Sequence, residues 1–393
     1  MIERSLTNNI FEDVKDKMVF ISGPRQVGKT TLSLAIGKKC FGSNYFYLNW
    51  DETEDRRAIL KGDFKADAKL IIFDEIHKYK KWKNYLKGQY DKYHNRFKML
   101  ITGSAHMDIY MRGGDSLQGR YFNFVLHPLS VGEITNQKVL LTVPFNELKF
   151  KNKSKEQEEA FDSLFHYGGF PEMFVKQNER DLRRWHNDRM SRLVKEDIRD
   201  VENLRDLSAL QILVDILPQK VGGIFSLNSL REDLQVTHKT ISQWVEVLEK
   251  FYYHFRIYPF QYSKIKSLRK EPKMFLWDWS QVSKEGERFE NMIASHLLKF
   301  CDYLRNSQGY KAVLYFIRDI DKHEVDFLVA VDGKPWFCVE TKLANDSLSP
   351  SLKYFVSKMK IPFAYQVVRE NGIHIIRDNI NIVSADTFLT GLV

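Results

Sequence analysis

The sequence predicts an α/β protein of more than one domain, with a parallel sheet in the first third, a helical middle and a second α/β domain at the C-terminal end. Three observations predict it. An apolar run at residues 17 to 22 meets a glycine-rich turn and then a helical stretch from Thr30 to Lys39, which reads as strand, loop, helix. Further apolar runs at 45–49, 70–73 and 99–102 alternate with helical patterns, as a parallel sheet covered on both faces requires. The length of 393 residues is too great for one small fold and suits two or three domains at roughly 150 residues each.

Hydrophobic residues at 43% and charged residues at 28% exclude a disordered or fibrous chain. Cys40, Cys301 and Cys338 are the only cysteines and none are in CxxC spacing, so neither a disulfide framework nor a thiolate zinc site is expected, and a reducing cytoplasm suits them. The first residues lack the apolar core of a signal peptide, and no stretch approaches the ~18 apolar residues of a membrane span. A cytoplasmic protein without a membrane partner is the expectation. The formal charge of +9 permits nucleic acid or an acidic ligand, but eight basic residues against one acid between 78 and 98 account for most of it. Trp82, Leu86, Tyr90, Tyr93 and Phe97 recur there at helical spacing. An amphipathic helix with its lysines in water is therefore favoured over a nucleic-acid surface.

The turn after the first strand is Gly23-Pro24-Arg25-Gln26-Val27-Gly28-Lys29-Thr30, followed by Thr31, and it fits GxxxxGK[ST] at every fixed position. Glycines let backbone N–H groups close around phosphate oxygens, Lys29 neutralises the β/γ charge, and the Thr30 hydroxyl can ligate Mg²⁺ at the start of a helix. The third apolar run ends in Asp74-Glu75. Asp74 is expected to hold the Mg²⁺ shell, and Glu75 to orient or deprotonate the attacking water. Thr102 ends the fourth strand and Ser104 follows it, where ligands of open α/β sheets bind, so either hydroxyl could sense the γ-phosphate or the lytic water, with a simple turn as the alternative. The first third is thus a P-loop NTPase sheet, ending at about residue 150.

Residues 151–222 read as helical. Residues 223–275 read as helix, turn, helix and strand, resembling a winged helix-turn-helix in which Leu227, Leu230, Leu234, Val236, Ile241, Val245 and Leu248 form the core. Lys239, Thr240 and Gln243 would stand where such modules contact base edges. Lys264, Lys266, Arg269, Lys270 and Lys273 would supply a basic wing on phosphate. The bland alternative is a small helical bundle used for packing or protein contact.

In the C-terminal segment, 276–393, Glu290 lies on an amphipathic helix. Strands are expected at 313–317, 324–331 and 336–343, with a turn at Asp332-Gly333-Lys334-Pro335. Asp326 falls on the second of these strands, and Glu340 and Lys342 share one face of the third. Fourteen residues separate Asp326 from Glu340, a spacing that lets two antiparallel strands place them side by side. This pattern resembles the PD-(D/E)xK nuclease-like core. That resemblance implies a second Mg²⁺ on Asp326 and Glu340, completed by Glu290, with Lys342 orienting a metal-activated water. A retained fold with ordinary strand-end ion pairs is the alternative, because fold does not fix activity.

Taken with LITGSA from Leu100, GRYFNFVLHPLSVGE from Gly119, YGGFPE from Tyr167, the hinge at Trp277-Asp278 and EGERFEN from Glu285, these motifs resemble the prokaryotic predicted AAA+-superfamily ATPases with a C-terminal domain of unknown function (DUF4143). Trp279-Ser280 stands where Gly-Leu usually follows the hinge. The resemblance implies ATP as the nucleotide, and it makes Arg120 a candidate for an arginine facing the nucleotide in cis or from a neighbouring subunit. The expected function is Mg²⁺-dependent ATP hydrolysis coupled to DNA binding or processing. The alternative is an ATP-dependent switch that binds a protein partner and carries a non-catalytic nuclease-like domain.

Overall fold

β1 (Met18–Ser22), β2 (Tyr45–Asn49), β3 (Leu70–Asp74), β4 (Lys98–Thr102) and β5 (Tyr121–Val125) form one parallel sheet in the order β2-β3-β4-β1-β5. The computed structural model describes residues 2–103, 117–136, 142–198, 207–261, 270–344 and 347–393. Every residue of β1 and β3 is buried, as central strands covered on both faces must be. The edge strands β2 and β5 each have a single fully buried residue. β5 was not expected as a strand, because Tyr-Phe-Asn-Phe-Val carries neither a continuous apolar run nor clean alternation. The helix Trp82–Tyr93 buries Trp82 and Leu86, exposes Lys92 and leaves Lys83 and Lys87 half-buried, while Lys80, Lys81 and Arg96 beside it are exposed. The amphipathic helix expected from the spacing is present, with its lysines only partly in water.

A second, eight-stranded sheet has the order β12-β13-β11-β10-β9-β8-β6-β7, built from β6 (His254–Pro259), β7 (Lys273–Leu276), β8 (Ala312–Arg318), β9 (Glu324–Val331), β10 (Lys334–Lys342), β11 (Phe363–Val368), β12 (His374–Arg377) and β13 (Ile380–Ser384). It is mixed: β9 pairs antiparallel with β8 and β10, while β10–β11 and β6–β8 are parallel. β9 and β10 are joined by a two-residue turn with Asp332 at φ 51° and Gly333 at φ 78°, the left-handed pair that a tight hairpin demands. The 24-residue helix Glu285–Gln308 is buried nearly all round between Asn291 and Leu304, with Asn291, Ser295, His296, Lys299 and Asp302 among the buried residues, so it is a core helix rather than the amphipathic one expected.

The chain divides into two compact units, Glu3–His127 with Lys250–Tyr252, and Met1–Ile2 with Pro128–Glu249 and Tyr253–Val393. The boundaries expected near 150, 222 and 275 are not where these units part. β6 and β7, from the segment read as a winged helix, belong to the same sheet as the C-terminal strands, because β6 pairs with β8 through Tyr258↔Tyr315 and Pro259↔Phe316. Residues 146–151 join that unit too. The Trp336 indole donates to the Asn146 carbonyl at 2.9 Å, and Leu148 N–H donates to the Tyr365 hydroxyl at 3.1 Å.

Candidate functional site

The loop after β1 turns on two glycines, Gly23 at φ 144° and Gly28 at φ 100°. A Cβ at Gly23 would collide with the Leu126 carbonyl, so glycine is required there for close approach as well as for its backbone angle. Gln26, at φ 63°, completes a run of backbone N–H groups of the kind that cradles an anion. Arg4 holds the loop from below, donating to the carbonyls of Val27 (2.9 Å) and His127. Lys29 opens the helix Lys29–Phe41 and donates to the Gly23 and Pro24 carbonyls at 2.9 and 2.8 Å. Its ammonium is thus curled over the loop in which phosphates would lie.

Asp74 ends β3 and is buried. The Thr30 hydroxyl donates to its Oδ2 at 2.8 Å, the Tyr47 phenol donates to the same oxygen at 2.7 Å, and the Thr102 hydroxyl donates to Oδ1. The expected pair, Thr30 and Asp74, is therefore brought together. Tyr47 went unread in the sequence; its signal was its place on the alternating face Tyr45, Tyr47, Asn49 of a strand that pairs with β3. Burial, then the hydrogen bond to Asp74, pushes the Tyr47 phenol above its ordinary range. A hydroxyl and a carboxylate at the start of a helix are hard oxygen donors and suit Mg²⁺, which would neutralise phosphate charge here. Glu75 stands beside them in the left-handed region, φ 55° and ψ 20°, its N–H bonded to the Thr102 carbonyl. Its carboxylate is 3.6 Å from His77 Nε2 and 3.9 Å from Lys78 Nζ. Burial pushes the His77 imidazole down, against the opposing pull of Glu75. Backbone strain of this kind in a non-glycine residue persists where the surroundings enforce it, and it gathers at functional sites. Ser104 lies outside the described residues.

In the other unit the nuclease-like residues also gather. β9 and β10 pair in the register Val339↔Phe327, which carries Glu340 to Asp326. Asp326 Oδ2 accepts from the Thr341 N–H at 2.8 Å and hydroxyl at 2.7 Å. Lys342 reaches Glu340 Oε1 at 2.9 Å, and the Ser349 hydroxyl donates to the same oxygen at 3.3 Å. Burial, then the neighbouring Asp326, raises the Glu340 carboxyl to about 7. Glu290 faces a cavity of about 700 Å³ lined by Gly222, Phe225, Asp326, Thr341 and Lys342 among others. A Cβ on Gly222, whose φ is 80°, would lie 2.7 Å from Glu290 Oε2. Lys273, expected on a basic wing, is instead buried at 3% side-chain exposure. Its ammonium lies 3.0 Å from Glu290 Oε1, 2.7 Å from Glu324 Oε1 and 3.7 Å from Asp326 Oδ1. Burial would lower its pKa, but these three carboxylates raise it overall.

The comparisons with known proteins divide the chain in three. A model described as an AAA domain matches residues 15–135, a domain of unknown function (DUF8612) matches 158–283, and a second one (DUF4143) matches 285–388. The chain carries an AAA domain in its first third and a DUF4143 domain in its last. It is 22% identical over 371 residues to uncharacterized protein MJ1544 of Methanocaldococcus jannaschii, covering 88% of this chain and 80% of the relative. It is 21% identical over 391 residues to uncharacterized protein Rv2008c of Mycobacterium tuberculosis, covering 95% and 81%. Among solved structures, the Thermotoga maritima RuvB Holliday junction branch migration motor is 18% identical, covers 65% of this chain and 90% of that one, and has a TM-score of 0.33, too slight a likeness to bear on function.

In this AAA-domain protein Arg120 is not brought to the P-loop. It precedes β5, and its carbonyl accepts from Met18 N–H at the start of β1, so it lies at the end of the sheet opposite Lys29. Its guanidinium pairs with Asp91 at 2.7 Å. The helices Leu227–Leu234 and His238–Lys250 are joined by a turn at Gln235, φ 53°. Leu230, Ile241, Val245 and Leu248 are buried, and Leu227, Leu234 and Val236 are half-buried. Lys239 and Gln243 are exposed and Thr240 is half-buried, with Thr237 capping the second helix by accepting from Thr240 N–H at 3.1 Å. Lys264, Lys266 and Arg269 lie outside the described residues. The hinge residue Asp278 is buried between His186 (3.3 Å) and Arg189 (3.4 Å). Although burial alone would raise its carboxyl, these partners and Ser280 hold it well below the usual range. Among the described residues no helix is long and apolar enough to cross a membrane.

Proposed function

We propose that this AAA-domain protein binds ATP with Mg²⁺, hydrolyses it, and couples its nucleotide state to the binding of DNA. The observation that carries the hydrolase reading is the Thr30–Asp74 hydrogen bond beneath the glycine loop, because it gathers phosphate cradle, metal-holding oxygens and Glu75 at one end of one sheet. In this reading the backbone N–H groups of 23–30 bind the β- and γ-phosphates, Lys29 leaves its carbonyl partners for the γ-phosphate, and Thr30 and Asp74 hold Mg²⁺. Glu75 orients the attacking water and takes its proton. Arg120, remote in this chain, would serve only a neighbouring copy's nucleotide.

The DNA reading is supported by the helix-turn-helix order, with Lys239 and Gln243 exposed at the start of the second helix. Phosphate release measured with and without DNA and RNA tests both parts. Unchanged turnover in Lys29→Ala would overturn the nucleotide-site assignment. If no nucleic acid bound at low salt, where electrostatic binding is strongest, the DNA part would fail and a protein partner would take its place.

A further inference from the structure

We infer that Lys273 is the resident cation of the C-terminal carboxylate cluster and that, with its ammonium in place, the cluster takes no divalent metal ion. The inference concerns a site remote in sequence from the P-loop and does not depend on the nucleotide reading. The nuclease-like pattern calls for an ion shared by Asp326 and Glu340 and completed by Glu290. Four of the six carboxylate oxygens of these three residues already face a cation or a donor. Glu290 Oε1 takes the Lys273 ammonium at 3.0 Å, Asp326 Oδ2 takes two donors from Thr341, and Asp326 Oδ1 faces Lys273 at 3.7 Å. Glu340 Oε1 is held by Lys342 and Ser349. Glu340 Oε2 is buried with no hydrogen-bond partner, but Glu290 Oε1 and Asp326 Oδ1, between which a shared ion would sit, both face the Lys273 ammonium. Among the described residues, the three acid or histidine donors that lie within 4.8 Å of one another belong to Asp319, Asp321 and His323 on a loop, not to this cluster.

Lys273 is also poorly placed to leave. It begins β7, pairs across the strand with Ile257 and bridges to Ile224 on its other side, and the Phe225 N–H bonds to the Pro272 carbonyl at 2.8 Å. Its backbone is thus held on both sides, and its buried ammonium is held among three carboxylates. An ion entering between Glu290 and Asp326 would meet the positive charge of Lys273 at close range, and like charges repel. The lysine thus supplies, from the chain itself, the countercharge that a metal would supply. The cavity before it can hold a ligand, but not by chelating it through a divalent ion.

The test is Mn²⁺ uptake by the nucleotide-free full-length chain, followed by the electron paramagnetic resonance of the free ion. Wild type, Asp326→Asn and Glu290→Gln are expected to take up the same number of ions. Lys273→Met should gain one ion per chain, and Asp326→Asn added to it should remove that ion. A wild-type ion lost in both Asp326→Asn and Glu290→Gln would overturn the inference, as would a folded Lys273→Met that gains none. Circular dichroism and melting confirm folding. Should the methionine variant fail to fold, Lys273→Gln takes its place, and the wild-type comparison decides the first part unaided.

Discussion

The Thr30 hydroxyl donates to Asp74 Oδ2 across 2.8 Å, joining the helix after the P-loop to the end of β3. An oxygen from the helix that follows β1 and one from the end of β3 thereby meet where a phosphate-bound Mg²⁺ would sit. Asp74→Asn keeps the shape and removes the charge. Mg²⁺-dependent phosphate release is expected to fall roughly 100-fold or more, with melting little changed. Undiminished turnover across a Mg²⁺ titration would remove Asp74 from the metal shell.

Glu75 follows Asp74 in the left-handed backbone region, with its carboxylate 3.6 Å from His77 Nε2 and 3.9 Å from Lys78 Nζ. Glu75→Gln should bind fluorescent ATP as wild type does, while hydrolysis drops by about 10² to 10⁴, the usual contribution of a general base. A variant that loses binding and turnover together would show Glu75 to be a structural residue rather than a base.

Gly222 approaches Glu290 so closely that a methyl group would sit 2.7 Å from its carboxylate, in a backbone region that alanine rarely adopts. Gly222→Ala is expected to cost about 1–3 kcal/mol and to lower the melting temperature by several degrees. An unaltered melting curve would mean that the residue 219–224 segment shifts freely from the cavity.

Burial, then Asp326, raises the Glu290 carboxyl from its ordinary 4.5 to about 8, with Lys273 opposing the rise. The folded chain therefore keeps a proton that the unfolded chain has lost. The stability tied to this group is present in full below about pH 4.5 and fades as pH climbs through 8. Between pH 5 and 8.5 the melting temperature of wild type should fall relative to that of Glu290→Gln. Parallel curves for the two proteins would refute the shift.

The nucleotide site was legible because its parts are contiguous. One run of residues supplies strand, turn and helix start, and the acidic partner closes a strand whose apolar run is unmistakable. Tyr47 was not legible, since its contact with Asp74 depends on β2 lying beside β3. The hairpin of β9 and β10 was legible in its turn residues and spacing. β11, β12 and β13 were not, since β12 is exposed along its whole length and short strands in mixed sheets carry weak periodicity.

The sequence by itself determined which residues form the glycine loop, which carboxylates end the third strand, and which helix acid, strand acids and lysine the C-terminal core brings together. These are properties of residue type and short spacing. Only the tertiary structure decided that the chain parts at residue 127, that Arg120 stands at the far end of its sheet, and that Lys273 fills the carboxylate cluster. Each depends on which distant strands pair, and strand order is set by packing across the whole sheet rather than by any local run of residues.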